Sequence, residues 1–170
     1  MRIGITDSGV GGLSVCAAVE ERLRDETRAQ DVEIFYLNAA LRDDYSYNAM
    51  PSRQQKLETF DRFLANVAAR YRPDMLYIAC NSLSVLFRDP YFDHRRHIPI
   101  AGIVETGTAA ILSALAADND AAVIVFATPT TVEEGTYRKN LIDAGIAPER
   151  IVQQAFRGLP VAISNDFSGG

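Results

Sequence analysis

The stretch Met75-Leu76-Tyr77-Ile78-Ala79-Cys80-Asn81-Ser82-Leu83-Ser84 constrains the fold more than any other. A run of apolar residues stops abruptly at Cys-Asn-Ser, and a second apolar pattern starts at once. A buried parallel strand reads this way when it delivers a small polar cluster at its carboxyl end and passes into a helix. Asn81 or Ser82 is placed to cap that helix by accepting a hydrogen bond from an orphan backbone N–H. Cys80 then stands at the positive end of a helix dipole, which favours thiolate over thiol. The alternative is a small buried residue with no chemistry.

The same unit recurs along the chain. Residues 2–6 predict a first strand, which runs into the glycine-rich turn Asp7-Ser8-Gly9-Val10-Gly11-Gly12 and then a helix from Leu13, with Cys16 or Ala17 and residues 20–23 continuing at helical spacing. The turn is neither G-x-G-x-x-G nor a P-loop, so a nucleotide is not supported. Its glycines serve either close packing or approach to a ligand. Residues 32–37 predict a second strand, followed by a polar and aromatic loop over 38–51 that carries Arg42, Asp43, Asp44, Tyr45, Tyr47 and Asn48. A loop of this length is either a lid or a surface connection. Leu57, Phe60, Phe63, Leu64 and Val67 predict a helix reaching about Tyr71, with Arg53, Gln54, Lys56, Glu58 and Asp61 on its solvated face.

Beyond the Cys80 segment, the charged run Asp93-His94-Arg95-Arg96-His97-Ile98-Pro99 reads as a connection between domains 1–97 and 98–170. His94 and His97 have a spacing that suits a metal, but no carboxylate or thiolate pattern joins them, so no metal is expected. Residues 98–104 predict a fourth strand ending in Glu105-Thr106-Gly107-Thr108, with a helix over 109–117. The apolar run 121–127 predicts a further buried strand that delivers Thr128-Pro129-Thr130-Thr131. A helix through Glu133, Tyr137 and Leu141 follows, then a strand from Ile151, and the pattern is lost over 156–170.

Strand and helix alternate throughout, which specifies an α/β protein with parallel sheets. Ligands in such sheets gather at the carboxyl ends of strands. Four polar clusters fall there: Asp7-Ser8, the loop around Tyr45, Cys80-Asn81-Ser82, and residues 128–131. A formal charge of −5 argues against a nucleic-acid surface. No apolar run approaches the ~20 residues that span a bilayer, and residues 1–7 enter a strand pattern directly, so no signal peptide is expected. Two cysteines make no disulfide scaffold, so a reducing cytoplasm is the expected location.

As a set these clusters resemble the glutamate racemases. Ile3-Gly4-Ile5-Thr6-Asp7-Ser8-Gly9-Val10-Gly11-Gly12-Leu13 looks like the opening of that family, and Ala79-Cys80-Asn81-Ser82 resembles its Ala-Cys-Asn-Thr. Ile100-Ala101-Gly102-Ile103-Val104-Glu105-Thr106-Gly107 resembles its Gly-Val-Ile-Glu-Pro-Gly. Ala127-Thr128-Pro129-Thr130-Thr131 with Tyr137 resembles its Ala-Thr-x-x-Thr followed by a tyrosine. The resemblance implies two flavodoxin-like parallel-sheet domains of the aspartate/glutamate racemase type facing each other across a cleft, the second incomplete here. It implies racemisation of glutamate without a cofactor, one cysteine working on each face of the substrate Cα. Carried over, Cys80 is one base or acid and Asp7 assists its proton. Ser8, Asn81, Ser82, Thr128 and Thr131 hold substrate polar groups, and Tyr45 and Ser46 stand in a lid. The implied partner is a small dicarboxylic amino acid, glutamate or aspartate, with a homodimer allowed. For a bacterial source the implied role is supply of D-glutamate for cell-wall peptidoglycan.

The residue types suit that chemistry. A Cα proton is very weakly acidic, so the base must be strong and desolvated, with donors near the carbanion. Ser82 replaces the family's threonine and keeps its hydroxyl. Ser46 replaces a lid glycine. The family's second cysteine, in a Cys-Thr-His segment, has no counterpart here, and Cys16 inside the first helix reads as a small core residue. The chain therefore looks C-terminally truncated, and alone it is expected to racemise weakly or not at all. Alternatives within the resemblance are an aspartate racemase, a one-cysteine decarboxylase or isomerase, and an inactive carboxylate-binding module. A flavodoxin-like domain with a merely buried Cys80 is the plain structural alternative.

Overall fold

The structure is a computed structural model and describes residues 1–24, 31–42, 45–95, 98–118 and 120–158. The chain divides into two compact units, Met1–Gly102 and Ile103–Gly170. The first contains β1 (Arg2–Asp7), α1 (Gly12–Arg24), β2 (Glu33–Asn38), α2 (Arg53–Arg70), β3 (Met75–Ile78), α3 (Asn81–Leu86) and β4 (Ile100–Gly102). Its strands form one sheet in the order β2-β1-β3-β4, with every pairing parallel. Parallel strands are covered on both faces, which explains why β1 and β3 read as almost unbroken apolar runs.

Helix α2 supplies part of the cover. Its cap is Ser52, whose hydroxyl accepts the Gln55 N–H at 3.2 Å, an arrangement that contributes about 1 kcal/mol. Leu57, Phe60, Leu64 and Val67 bury one stripe against Leu76 and Ile78 of β3. At roughly 1.5–3 kcal/mol per fully buried large apolar side chain, this stripe is a principal source of cohesion in the unit. Lys56 and Asp61, expected on the solvated face, are buried as well. Arg53 reaches Asp89 at 2.7 Å across the same side.

Two expectations about the boundary change. Strand β4 pairs with β3, so it belongs to the first sheet, and the units part between Gly102 and Ile103 instead of after His97. The apolar run 98–104 is short enough to read as one strand. Its second half instead opens helix α4 (Ile103–Leu115), with Val104, Thr108 and Leu115 buried at helical spacing. Glu105, Thr106 and Gly107 therefore lie in the first turns of a helix and not at a strand end. His97, Asp43, Asp44 and residues 159–170 lie outside the described residues.

The second unit continues with β5 (Val123–Ala127), α5 (Pro129–Glu134), α6 (Thr136–Asp143) and β6 (Ile151–Ala155). Strands β5 and β6 pair in parallel, from Val123 opposite Ile151 to Ala127 opposite Ala155. The single helix expected through Glu133 and Leu141 is divided at Gly135, whose φ of 63° is left-handed and ends α5 before α6 begins. The apolar run 121–127 is buried on one face only among the described residues. Val125 and Ala127 are covered, while Ile124 and Phe126 stand exposed.

Candidate active site

The first unit brings its chemistry together where β1 and β3 end side by side. The ladder runs past the strands: Ala79 N–H donates to Thr6 O at 2.8 Å, and Ala39 N–H to Asp7 O at 2.7 Å. Asp7 is thereby held between the ends of β2 and β3, and Ser8 is brought over Cys80, with Oγ 3.1 Å from Sγ. The Asp7 carboxylate accepts the Gly9 N–H at 2.8 Å and is also turned toward the N–H groups of Gly12 and Ser8. Helix α1 starts hard against this corner. A Cβ on Gly12 would lie 2.8 Å from Asp7 Cβ, 3.1 Å from Tyr36 Cε2 and 3.2 Å from Ala79 Cβ. At least this glycine serves close packing.

Cys80 is buried, at 7% exposure, and is itself the cap of α3. Asn81 and Ser82, expected to cap, are the first two residues inside the helix instead. No side-chain cap hydrogen bond closes this turn, although the N–H groups of Leu83 and Ser8 face the sulfur and favour its charged form. Helix α3 has only 6 residues. The expected activation by its dipole does not win. Burial, and after it the Asp7 charge, push the Cys80 thiol above its ordinary value, against the Ser8 hydroxyl and the two N–H groups. Asp7 is likewise raised, by burial, against the three N–H groups that hold it. The corner thus carries two acidic groups, each resisting ionisation.

The remaining expected residues fall as follows. Asn81 is exposed beside Cys80, and Ser82 is buried beneath it at 3% exposure. Tyr45 and Ser46 are half-buried on the connection between β2 and α2, where Tyr45 bridges Arg42 and its ring lies 5.6 Å from the guanidinium carbon. That connection is no free surface loop, because Ala39, Tyr47 and Met50 are buried in the core. In the second unit Thr128 caps α5, and its Oγ1 lies 3.1 Å from Oγ1 of buried Thr131. Gly107 lies against the Tyr137 hydroxyl, which a Cβ there would approach to 2.6 Å.

The sequence reading gave Tyr36 no role and named Tyr47 only as part of the 38–51 loop. Tyr36 donates its hydroxyl to Gly9 O at 2.5 Å and braces the glycine turn from β2; burial and then the charges of Asp7 and Cys80 push its phenol upward. Tyr47 is buried in the same cluster as Cys80. Strand alternation and loop composition disguise both. Cys16 is half-buried on α1 and not in the core. Among the described residues no three His, Cys, Asp or Glu side chains stand together as metal ligands. None of the described helices is long and apolar enough to cross a membrane. A hollow of about 370 Å³ lies between Leu64, Ala68 and Ala69 of α2 and Leu76, Ile98 and Ile100. It has no charged lining and does not suit a carboxylate.

No family profile matches the chain. The glutamate racemase of Campylobacter jejuni subsp. jejuni is 34% identical over 147 residues, which is 85% of this chain and 53% of that protein. A solved glutamate racemase from Campylobacter jejuni superposes with a TM-score of 0.79 at 29% identity, over 100% of this chain and 62% of that one. The chain is a relative of the glutamate racemases. The Aquifex pyrophilus glutamate racemase structure agrees, with a TM-score of 0.71 at 28% identity over 91% of this chain and 55% of that one. The fold is therefore the parallel α/β fold of the aspartate/glutamate racemases. The chain spans about half the length of the curated relatives it matches.

Proposed function

We propose that this chain carries one acid/base centre of an amino-acid racemase acting on glutamate, with Cys80 as the group that exchanges the Cα proton. The observation that carries the reading is the corner itself: a buried sulfur at a parallel strand end, 3.1 Å from the Ser8 hydroxyl and within the field of Asp7. It occurs in a chain whose relatives are named glutamate racemases.

In this reading the Cys80 proton passes to Asp7, whose raised proton affinity suits it as acceptor. The thiolate then takes the Cα proton, so that S–H forms as Cα–H breaks, and the electron pair moves into the substrate carboxylate as an enolate. Ser8, Asn81 and Ser82 donate to that developing charge, and Tyr45 and Ser46 restrict water. Thr128 and Thr131 are assigned to the same ligand by the resemblance. Return of a proton to the opposite face needs a second acid, and Cys16, the other cysteine in the sequence, lies in α1 away from any strand end.

The test is solvent exchange. Incubated in D2O with each enantiomer of glutamate, the chain should lose the Cα–H signal of one enantiomer, and Cys80→Ser should abolish that loss. Exchange that survives in Cys80→Ser removes Cys80 from the role. Exchange of aspartate but not glutamate moves the substrate, and binding without any exchange leaves a carboxylate-binding module.

A further inference from the structure

We propose that Tyr47 is a positioning residue for Cys80, its buried hydroxyl serving as a hydrogen-bond donor reserved for the thiolate. The inference deepens the reading above, since it requires Cys80 to work as an anion.

The first observation is an unsatisfied group. Tyr47 is 1% exposed, and among the described residues its hydroxyl has no hydrogen-bond partner. Buried polar atoms in native structures are overwhelmingly paired, so an orphan needs a reason. Packing is not that reason. The ring sits edge-on to Phe60 with centroids 6.3 Å apart, in one cluster with Met50, Leu57 and Cys80. A phenylalanine would make the same contacts without an oxygen to desolvate. The hydroxyl therefore weakens the resting fold and must be repaid in another state of the site.

The second observation is which charge it would meet. In that cluster the group able to become an anion is Cys80, and its charge is felt at Tyr47. Burial and that charge together keep the Tyr47 proton on its oxygen, with Arg62 of α2 opposing, so the phenol remains a donor and not a rival acid. The other donors toward the sulfur are the Ser8 hydroxyl and the N–H groups of Ser8 and Leu83; the opposing charge is Asp7 at the end of β1. Tyr36 of β2 also feels Cys80 and, more weakly, Cys16 of α1, but its hydroxyl is committed to Gly9 O. Tyr47 is the phenol left over for the thiolate.

The experiment is alkylation of Cys80 by iodoacetamide across pH 6–10, in a Cys16→Ser background so that one thiol reports, beside thermal melts. Tyr47→Phe should slow alkylation near pH 8 by about tenfold or more, the loss of one hydrogen bond to a charged acceptor. It should leave the melting temperature unchanged or higher. Tyr36→Phe, which removes a bond already made, should lower the melting temperature. An unchanged pH–rate profile in Tyr47→Phe overturns the proposal, and so does a lower melting temperature, which would mean that the hydroxyl is structural. Neither readout uses turnover. If glutamate exchange is absent while the alkylation profile moves, the substrate assignment fails and the role of Tyr47 stands.

Discussion

Replacing Gly12 with alanine tests whether the glycine turn holds the corner together by contact. The added Cβ would sit 2.8 Å from Asp7 Cβ, 3.1 Å from Tyr36 Cε2 and 3.2 Å from Ala79 Cβ. Carbon pairs are comfortable at roughly 3.5–4.0 Å, so all three contacts are inside the repulsive wall. None can yield cheaply. Two of the opposing atoms are one bond from the backbone, and the Tyr36 ring is fixed by its bond to Gly9. Relief requires the start of α1 to move off the strand ends, and overpacking of this kind costs about 1–3 kcal/mol. Gly11 is the control, because its Cβ would meet only Asp7 Oδ2, at 3.7 Å, an ordinary contact. Gly11→Ala should stay within about 0.5 kcal/mol of the parent in urea unfolding, whereas Gly12→Ala should lose about 1–3 kcal/mol. Equal stabilities for the two variants would refute the packing argument.

Two further substitutions probe the electrostatics of the corner. Ser8→Ala removes a contact worth about 0.5–1.5 kcal/mol to a neutral thiol but about 1.5–3 kcal/mol to a thiolate. Stability should thus fall modestly, while the rate of Cys80 alkylation near pH 8 falls roughly fivefold for the ~1 kcal/mol difference; an unaltered rate would show that the 3.1 Å contact carries no charge stabilisation. Asp7→Asn should have the opposite effect on the thiol, speeding alkylation at neutral pH, because the Asp7 charge raises Cys80. Linkage gives a second signature. Asp7 binds its proton more tightly in the folded chain than in the unfolded one, so its contribution to stability declines as pH rises through the carboxylate range. Whatever constant offset the lost oxygen introduces, the stability difference should shift toward the Asn variant between pH 3 and pH 7, and a constant difference would contradict the raised value.

The candidate corner was legible because it breaks a pattern. Asp7-Ser8 and Cys80-Asn81 each end an apolar run at a strand terminus, and the register Thr6 opposite Ile78 then makes them neighbours. What stayed hidden shares a cause: local pattern does not encode depth. Tyr36 and Tyr47 look like strand alternation and loop polarity, yet Tyr36 bonds Gly9 of the turn and Tyr47 is buried in the cluster that holds Cys80. Lys56 and Asp61 sit on the polar side of α2 by spacing but are buried in the fold. The run 98–104 carries no signal that its first half pairs with β3 and its second half coils. Gly135 could have been read as a helix break, since a lone glycine inside a helical pattern is the usual sign of one.

The correction at Cys80 changes what the site must do. Activation by a helix dipole would have supplied a standing thiolate, but α3 is too short and the sulfur too buried for that. The groups acting most strongly on Cys80 are an anion and neutral donors, with no cation among them. Asp7 and Cys80 therefore compete for a single negative charge in a buried corner. A proton leaving Cys80 for Asp7 conserves that charge and only relocates it, which costs less than creating a second anion in a buried corner. An amino-acid ammonium bound over the pair would be its missing cation, and a ligand carboxylate would oppose it. Under the proposed function, these charges favour a ligand oriented with its ammonium toward the Asp7–Cys80 pair and its carboxylate toward neutral donors.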